Sequence, residues 1–109
     1  MDKKTEKIRK LNDLFRQTFL FGKVFLTQGI TALSPEIQSQ IAKQIQSFNN
    51  FNKENDPYGE HDFGSFELED LKVFWKIDYY DLSSNFGSED PANPAVTQRV
   101  LTIMLAEEY

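Results

Sequence analysis

The chain of 109 residues contains no cysteine. This absence excludes disulfide bonds, thiolate catalysis and cysteine-based zinc sites, and it fits a reducing compartment. Long apolar runs are absent too: Phe19–Phe21 and Ile103–Ala106 fall far short of the roughly 20 residues that span a bilayer. The charged start of the chain, Met1–Lys10, lacks the apolar stretch of a secretory signal. We therefore expect a cytoplasmic protein with no membrane role.

Basic residues are scarce in the second half of the chain. Residues 1–53 hold nine Lys and Arg against four Asp and Glu, whereas residues 54–109 hold three against thirteen. Binding to phosphates favours clustered Lys and Arg, so direct nucleic-acid binding is disfavoured, although the basic first helix keeps it open. The acidic half predicts a partner with a basic surface; ordinary solubility explains the same charge and stays open as the alternative.

Aromatic residues are plentiful, with ten Phe, four Tyr and one Trp. A chain of this length buries roughly 65% of its unfolded surface, which is enough for a core without covalent staples. No repeat or linker divides the sequence. We therefore predict a single domain over residues 1–109.

Apolar residues spaced three or four apart predict two amphipathic helices. The first covers Lys4–Phe19 and is ended by Gly22. The second begins at Ser34, whose side chain can cap free backbone amides ahead of Pro35 and Glu36. The stripes consist of Ile8, Leu11, Phe15 and Phe19 in the first helix and Ile37, Ile41, Ile45 and Phe48 in the second.

The remaining ordered segments have the patterns of strands. A short β-type run occupies Lys23–Gln28, and Ser65–Glu69 with the strictly alternating Leu71–Tyr80 predicts a hairpin. Ala95–Glu108 is ambiguous, because a preceding Asn-Pro pair can cap a helix while its β-branched residues suit a strand; we favour a strand over Arg99–Leu105. The predicted fold is α+β, with two helices packed on a mainly antiparallel sheet in the order α-β-α-β-β-β.

The single histidine, His61, lies between Glu60 and Asp62 in a loop bracketed by Gly59 and Gly64. A neighbouring carboxylate could orient the imidazole for general acid–base chemistry, which makes these three residues the catalytic candidates. The alternative is a histidine that holds the loop in place through hydrogen bonds.

Carboxylates near His61 could also hold a metal ion. One imidazole with carboxylates suits magnesium, manganese or calcium, but the sequence has no HExxH motif and no EF-hand spacing. We therefore predict neither a metal site nor a cofactor. The carboxylates considered are Asp56, Glu60, Asp62, Asp78 and Asp81.

Aromatic and charged residues alternate in the WKIDYYD string at Trp75–Asp81. On a strand, Trp75 and Tyr79 share the core-facing side, and aromatics beside charges are typical of binding surfaces. We expect the acidic loop and this hairpin to form one outward-facing binding patch. Its predicted members are Asp56, Tyr58, Glu60, His61, Asp62, Lys76, Asp78, Tyr80 and Asp81.

The strings GEHDFG, VFWKIDYYD and RVLTIMLAEEY resemble a family of small bacterial domains of unknown function. The resemblance covers Ile8 to Tyr109. It implies a stand-alone bacterial cytoplasmic protein, of a kind often encoded on plasmids and other mobile elements. It implies no activity, ligand or catalytic residue.

Three functions are compatible with these patterns. The first is a non-enzymatic binding or regulatory protein that docks on, and can inhibit, a basic protein handling nucleic acid or defence. The second is a small hydrolase or nuclease-like enzyme using His61 with loop carboxylates. The third is a homodimer formed through an edge strand such as Lys23–Gln28.

Overall fold

Three helices and four strands follow one another in the order α-β-α-α-β-β-β in the computed structural model, which describes residues 2–109. The fold is a single α+β domain, as predicted. No helix within residues 2–109 is both long and apolar enough to cross a bilayer. The elements are α1 Lys3–Thr18, β1 Lys23–Leu26, α2 Gln28–Thr31, α3 Pro35–Gln46, β2 Phe63–Leu68, β3 Leu71–Tyr80 and β4 Gln98–Leu105, with a 3-10 turn at Ala106–Glu108.

Each long helix begins at a side-chain cap; the cap at Ser34 was predicted, and the cap at Asp2 was not. Asp2 accepts a hydrogen bond from the Thr5 N–H at 2.7 Å, and Ser34 accepts one from the Ile37 N–H at 3.2 Å, so each helix has a free amide satisfied. The prediction that Gly22 ends α1 is wrong. Phe19 itself takes a left-handed conformation at φ 59°, which terminates the helix three residues earlier.

The short helix α2 was not predicted, since Lys23–Gln28 reads as one strand. β1 instead ends at Leu26, and α2 begins at Gln28. Glu108 stabilises this turn: its carboxylate accepts hydrogen bonds from the Gly29 N–H at 2.9 Å and the Thr27 hydroxyl at 2.5 Å. The stabilising carboxylate is about eighty residues away in sequence, so no local pattern reveals it.

The sheet is mixed, with strand order β1-β4-β3-β2. The two β3 pairings, with β2 and with β4, are antiparallel, whereas β1 pairs with β4 in parallel. The expectation of a mainly antiparallel sheet is therefore corrected by one parallel pair. A parallel pair needs a long crossover connection, and here everything from α2 to β3 lies between the two strands.

The ambiguous segment near the end of the chain is a strand, as we favoured. β4 lies in the interior of the sheet, and side chains on both of its faces are buried. Val100 and Met104 are buried on one face, and Leu101 and Ile103 on the other. A central strand covered on both faces needs apolar side chains on both. This burial explains why the segment shows no alternation of polar and apolar residues.

The predicted hairpin is confirmed, and its inner face carries the core. Val73, Trp75 and Ile77 are buried under the helices, while Lys76 and Asp78 lie on the opposite face. In the neighbouring strand β2, Gly64 lies directly opposite Trp75. A Cβ atom at Gly64 would lie 2.5 Å from Trp75 Nε1, so only glycine fits at that position without a shift.

Candidate functional site

Polar side chains converge where α1, the loop of residues 47–62 and the sheet meet. We call this region the polar junction. It brings together residues from four segments that are far apart in the sequence, and it includes the single histidine. Its members are Asn12, Asp13, Arg16, Asp56, Glu60, His61, Tyr79 and Arg99.

The ring of His61 is held on three sides. Its Nδ1 lies 2.9 Å from Asp13 Oδ1, its Nε2 lies 3.6 Å from Asp56 Oδ2, and Phe51 stacks on its face with the ring centroids 3.7 Å apart. The backbone is constrained as well, because the His61 N–H donates to Asp56 Oδ1 at 3.0 Å and φ is 55°. Only 21% of the side chain is exposed. These contacts orient the imidazole through Asp13 and Asp56, not through Glu60 or Asp62.

Arg16 ties the junction to the end of α3. Its NH1 group donates to the carbonyls of Ile45 and Phe48, each at 2.9 Å, and its NH2 group donates to Asp13 at 3.1 Å. The side chain is almost wholly buried, with 2% exposed. Because the last carbonyls of a helix have no partner within the helix, a guanidinium here satisfies groups that burial would otherwise leave unbonded.

Asn12 links the junction to the sheet. Its amide donates to the Glu60 carbonyl at 3.0 Å, and its Oδ1 accepts from Arg99 Nε at 2.7 Å. Tyr79 joins the same network, since its hydroxyl accepts from the Asn12 amide and donates to Glu60 Oε1, both at 2.7 Å. The Arg99 guanidinium lies 5.1 Å from the Tyr79 ring centroid. Every member of this network bonds another member.

Burial and charge shift the titration of three groups near the junction. Desolvation, with repulsion from Glu60, raises the pKa of Asp62 to about 6. Burial also raises the pKa of Tyr79 well above its ordinary value, and it lowers the pKa of Arg99. The charge of the Asp62 carboxyl therefore changes near pH 6.

The predicted binding residues do not share one face of the sheet. Asp56, Glu60 and His61 turn toward the helices, where they contact Asp13 and Tyr79. The loop does abut the hairpin, because the Asp62 carbonyl accepts from the Ile77 N–H at 2.8 Å. The structure thus joins the two segments through the backbone while directing their side chains apart.

The predicted residues of the hairpin lie on the face without helices. Lys76 and Asp78 form an ion pair there, with Nζ and Oδ2 3.2 Å apart, and Tyr80 is half-buried beside them. Asp81 accepts hydrogen bonds from the Ser83 hydroxyl and the Asn85 N–H, which lower its pKa and shape the next turn. Tyr58 stands apart, with 79% of its surface exposed.

A groove of ≈420 Å³ lies between β1 and the helices α2 and α3, and its walls are apolar. His61 does not line it. Among residues 2–109, no group of three or more histidine or acidic side chains is placed to hold a metal ion. This apolar concavity therefore lies away from the residue types that suggested chemistry.

Sequence reasoning missed the α1 and β4 members of the junction. Asn12 and Arg16 follow Ile8 at four-residue intervals, so they lie within the arc of the buried stripe despite being polar. That spacing was a usable signal for burial of both side chains. Arg99 offered a weaker one, as an isolated cation at the start of an apolar strand.

Comparison with known proteins identifies a family. No curated protein and no solved structure matches the chain. The sequence model of one family, described as a protein of unknown function (DUF3768), matches residues 26–108. The match begins at the end of β1 and includes the loop, the hairpin and β4. Because it covers most of the chain, this protein belongs to the DUF3768 family.

Proposed function

We propose that this DUF3768 protein is a non-enzymatic binding protein whose acidic surface docks on a basic region of another protein. The observation that carries the proposal is a group of carboxylates at one end of the sheet, which we call the acidic end. All four are exposed, and none has an ion-pair partner within 4.0 Å among residues 2–109. The four residues are Glu67, Glu69, Asp70 and Glu107.

Tertiary structure gathers these carboxylates. Glu69 and Asp70 form the turn between β2 and β3, and the pairing of Val73 with Leu105 brings the end of β4 beside that turn. Asp70 and Glu107 line one shallow concavity of ≈240 Å³. Residues nearly forty positions apart therefore contribute to one surface, on which these carboxylates outnumber the single cation, Lys72.

One cation, Lys72, belongs to this surface and leaves it with an excess of negative charge. Lys72 lies opposite Glu67 in the hairpin, but its ammonium is 5.8 Å from the Phe74 ring centroid and forms no ion pair within 4.0 Å. Clustered charge of one sign speeds encounter with an oppositely charged partner and disfavours wrong ones. A basic protein is the partner that suits such a surface, and regulation of a nucleic-acid-handling protein, on a mobile element or elsewhere, is one role within this proposal.

The alternative, a hydrolase using His61, has one observation in its favour. Asp13 lies at hydrogen-bond distance from Nδ1, as an orienting carboxylate does in acid–base catalysis. Against it, Nε2 faces Asp56 and the ring face is covered by Phe51, which leaves little room for a substrate atom. Those contacts favour a structural role of the histidine over a catalytic one.

Two triple variants with equal charge test the proposal. One replaces Glu67, Glu69 and Glu107 by Gln, and the control replaces the exposed Glu36, Glu54 and Glu89 by Gln. Both carry a net charge of −2 instead of −5, since each loses three negative charges. The wild-type protein and both variants are immobilised and exposed to lysate of a bacterium that encodes the protein, at about 0.05 M and about 0.5 M salt.

We expect the wild-type protein and the control to retain a basic protein at low salt and to release it at high salt. The acidic-end variant should retain at least about tenfold less of this basic protein, because it lacks three of the four carboxylates that would attract the partner at low ionic strength. Failure of the wild-type protein to retain any salt-sensitive partner would contradict the proposal. Equal loss from both variants would show that only net charge matters.

A further inference from the structure

The outer edge of the sheet at β1 exposes large apolar side chains. Leu20 is 58% exposed, Phe21 74%, Phe25 56% and Leu26 40%, and all four lie within seven residues. We call these four residues, with the backbone of β1, the β1 edge. Natural edge strands usually carry charges or proline that discourage pairing, yet Lys23 is the one charged residue in residues 19–31.

The backbone of β1 is free on its outer side. The Thr27 N–H donates to the Ile103 carbonyl at 3.1 Å, so odd-numbered residues of this strand direct their backbone groups toward β4. Since successive residues of a strand alternate, Val24 and Leu26 direct theirs outward. The edge therefore offers two donors and two acceptors in the geometry of a strand.

We propose that β1 pairs in antiparallel fashion with β1 of a second copy of this chain, so that Val24 lies opposite Leu26 of that copy. In this register the outward N–H and C=O groups of Val24 and Leu26 all bond across the interface. Phe25 then lies on the two-fold axis, facing Phe25 of the second copy as a closely spaced, non-hydrogen-bonded pair. The two sheets become one sheet of eight strands.

Charge favours a second copy in this register. Lys23 lies opposite Thr27 of the second copy, and the Thr27 hydroxyl already binds the Glu108 carboxylate of its own chain at 2.5 Å. Each Lys23 is exposed and has no ion pair within 4.0 Å among residues 2–109, so it approaches a carboxylate of the second copy on both sides of the axis. Each copy has a net charge of −5, and this edge lets two copies meet without opposing carboxylates.

Apolar burial adds to the pairing. Val24 and Leu26 face the helix side of the sheet, where they line the ≈420 Å³ groove together with Ile30 and Ile41. Leu26 of the second copy lies beside Val24 on that side and extends the apolar contact. The opposite edge lacks these properties, because β2 carries Glu67 and runs into Glu69 and Asp70, and charges on an edge strand discourage pairing.

Mass measurement tests the association. Light scattering of the wild-type protein should report twice the 12.7 kDa chain mass at high concentration, falling toward the chain mass on dilution. Phe25→Asp should halve the mass, since it sets two carboxylates against each other at the axis. Phe86→Asp is the control, because Phe86 is 74% exposed in the loop between β3 and β4; this variant should leave the dimer intact. A wild-type protein that stays at the chain mass overturns the proposal and leaves the edge to a strand of a different protein.

Disulfide capture tests the register, because the chain has no cysteine of its own. Phe25→Cys should form a covalent dimer under mild oxidation, since non-hydrogen-bonded pairs place Cα atoms about 4.5 Å apart, within disulfide range. Leu26→Cys and Phe86→Cys should react at least tenfold more slowly. In the proposed register Leu26 lies opposite Val24 of the second copy, and Phe86 lies outside the interface, so neither cysteine meets the same cysteine of the other chain. Equal rates of disulfide formation for the three variants would indicate random collision and would overturn the assigned register. Faster disulfide formation by Leu26→Cys than by Phe25→Cys would overturn it as well.

Discussion

The polar junction and the β1 edge are opposite in what they enclose: the junction encloses polar side chains, whereas the β1 edge exposes apolar ones. At the junction, residues of the type that catalyse reactions are half-buried or buried and bonded to one another: His61 to Asp13, and Asn12 to Arg99. At the β1 edge, phenylalanine is exposed and the outward backbone groups have no strand partner among residues 2–109. The comparison teaches that the chemical reactivity of a residue type and its availability to a partner are separate properties, since the polar groups of the junction bond one another whereas the outer groups of the strand edge stay accessible.

Among substitutions in the two regions, we expect Arg16→Ala to have the largest effect on stability. Arg16→Ala leaves the carbonyls of Ile45 and Phe48 buried without a donor, and it removes a cation from beside Asp13. We expect a loss of about 3 kcal/mol in the free energy of unfolding, measured by urea denaturation. Arg9→Ala, on the same helix, should change it by less than about 0.5 kcal/mol. Similar losses for both variants would contradict the structural role of the junction.

A smaller effect is expected from the histidine. His61→Ala removes the contact with Asp13 and the stacking on Phe51, so we expect a loss of about 2 kcal/mol. Tyr58→Ala, in the same loop but 79% exposed, serves as the control and should be nearly neutral. If His61→Ala leaves the unfolding curve unchanged, the ring is not part of the architecture and the enzymatic alternative gains ground.

The loop should also make stability depend on pH. The pKa of Asp62 is about 6 in the folded chain against 3.8 for an ordinary aspartate, so the folded state binds more protons between these values. The stability contributed at low pH is therefore lost as pH rises through this window. Asp62→Asn should raise the free energy of unfolding by about 1 kcal/mol above the window, after allowance for partial exposure, and have no effect below it. Glu89→Gln should show no such pH dependence; a pH-independent effect of Asp62→Asn would contradict the assignment.

The smallest effect belongs to the β1 edge. Phe25→Thr replaces an exposed side chain with another residue suited to strands, so the unfolding free energy of the dilute, monomeric chain should change by less than about 0.5 kcal/mol. Urea denaturation at low protein concentration measures it. A loss comparable to that of His61→Ala would show that Phe25 belongs to the core, and the contrast between the two regions would vanish.

Patterns within short windows predicted most of the fold. The stripe of Ile8 and Phe15, the Ser34 cap and the alternation from Val73 to Ile77 each depend on neighbours within one element, and each is confirmed. The start of α2 could not be predicted in this way, because Glu108 stabilises it from the far end of the chain. The parallel pairing of β1 with β4 was missed for the same reason.

The candidate site was predicted only in its location. The loop carrying His61 does contact β3, yet the partners of the ring are Asp13 from α1 and Asp56, not its sequence neighbours. Adjacent residues in a loop point apart, so spacing along the chain says little about which carboxylate reaches an imidazole. The acidic end shows the same limit, since Glu107 joins the β2–β3 turn through strand pairing alone.

Composition and periodicity by themselves determined the α+β class, the two long helices, the hairpin and the acidic second half, because each follows from local geometry or from simple counting. Tertiary structure alone decided which polar side chains are satisfied and which strand edge is left open. Those outcomes depend on atoms far apart in sequence meeting within about 3 Å, a distance that only the packed chain establishes.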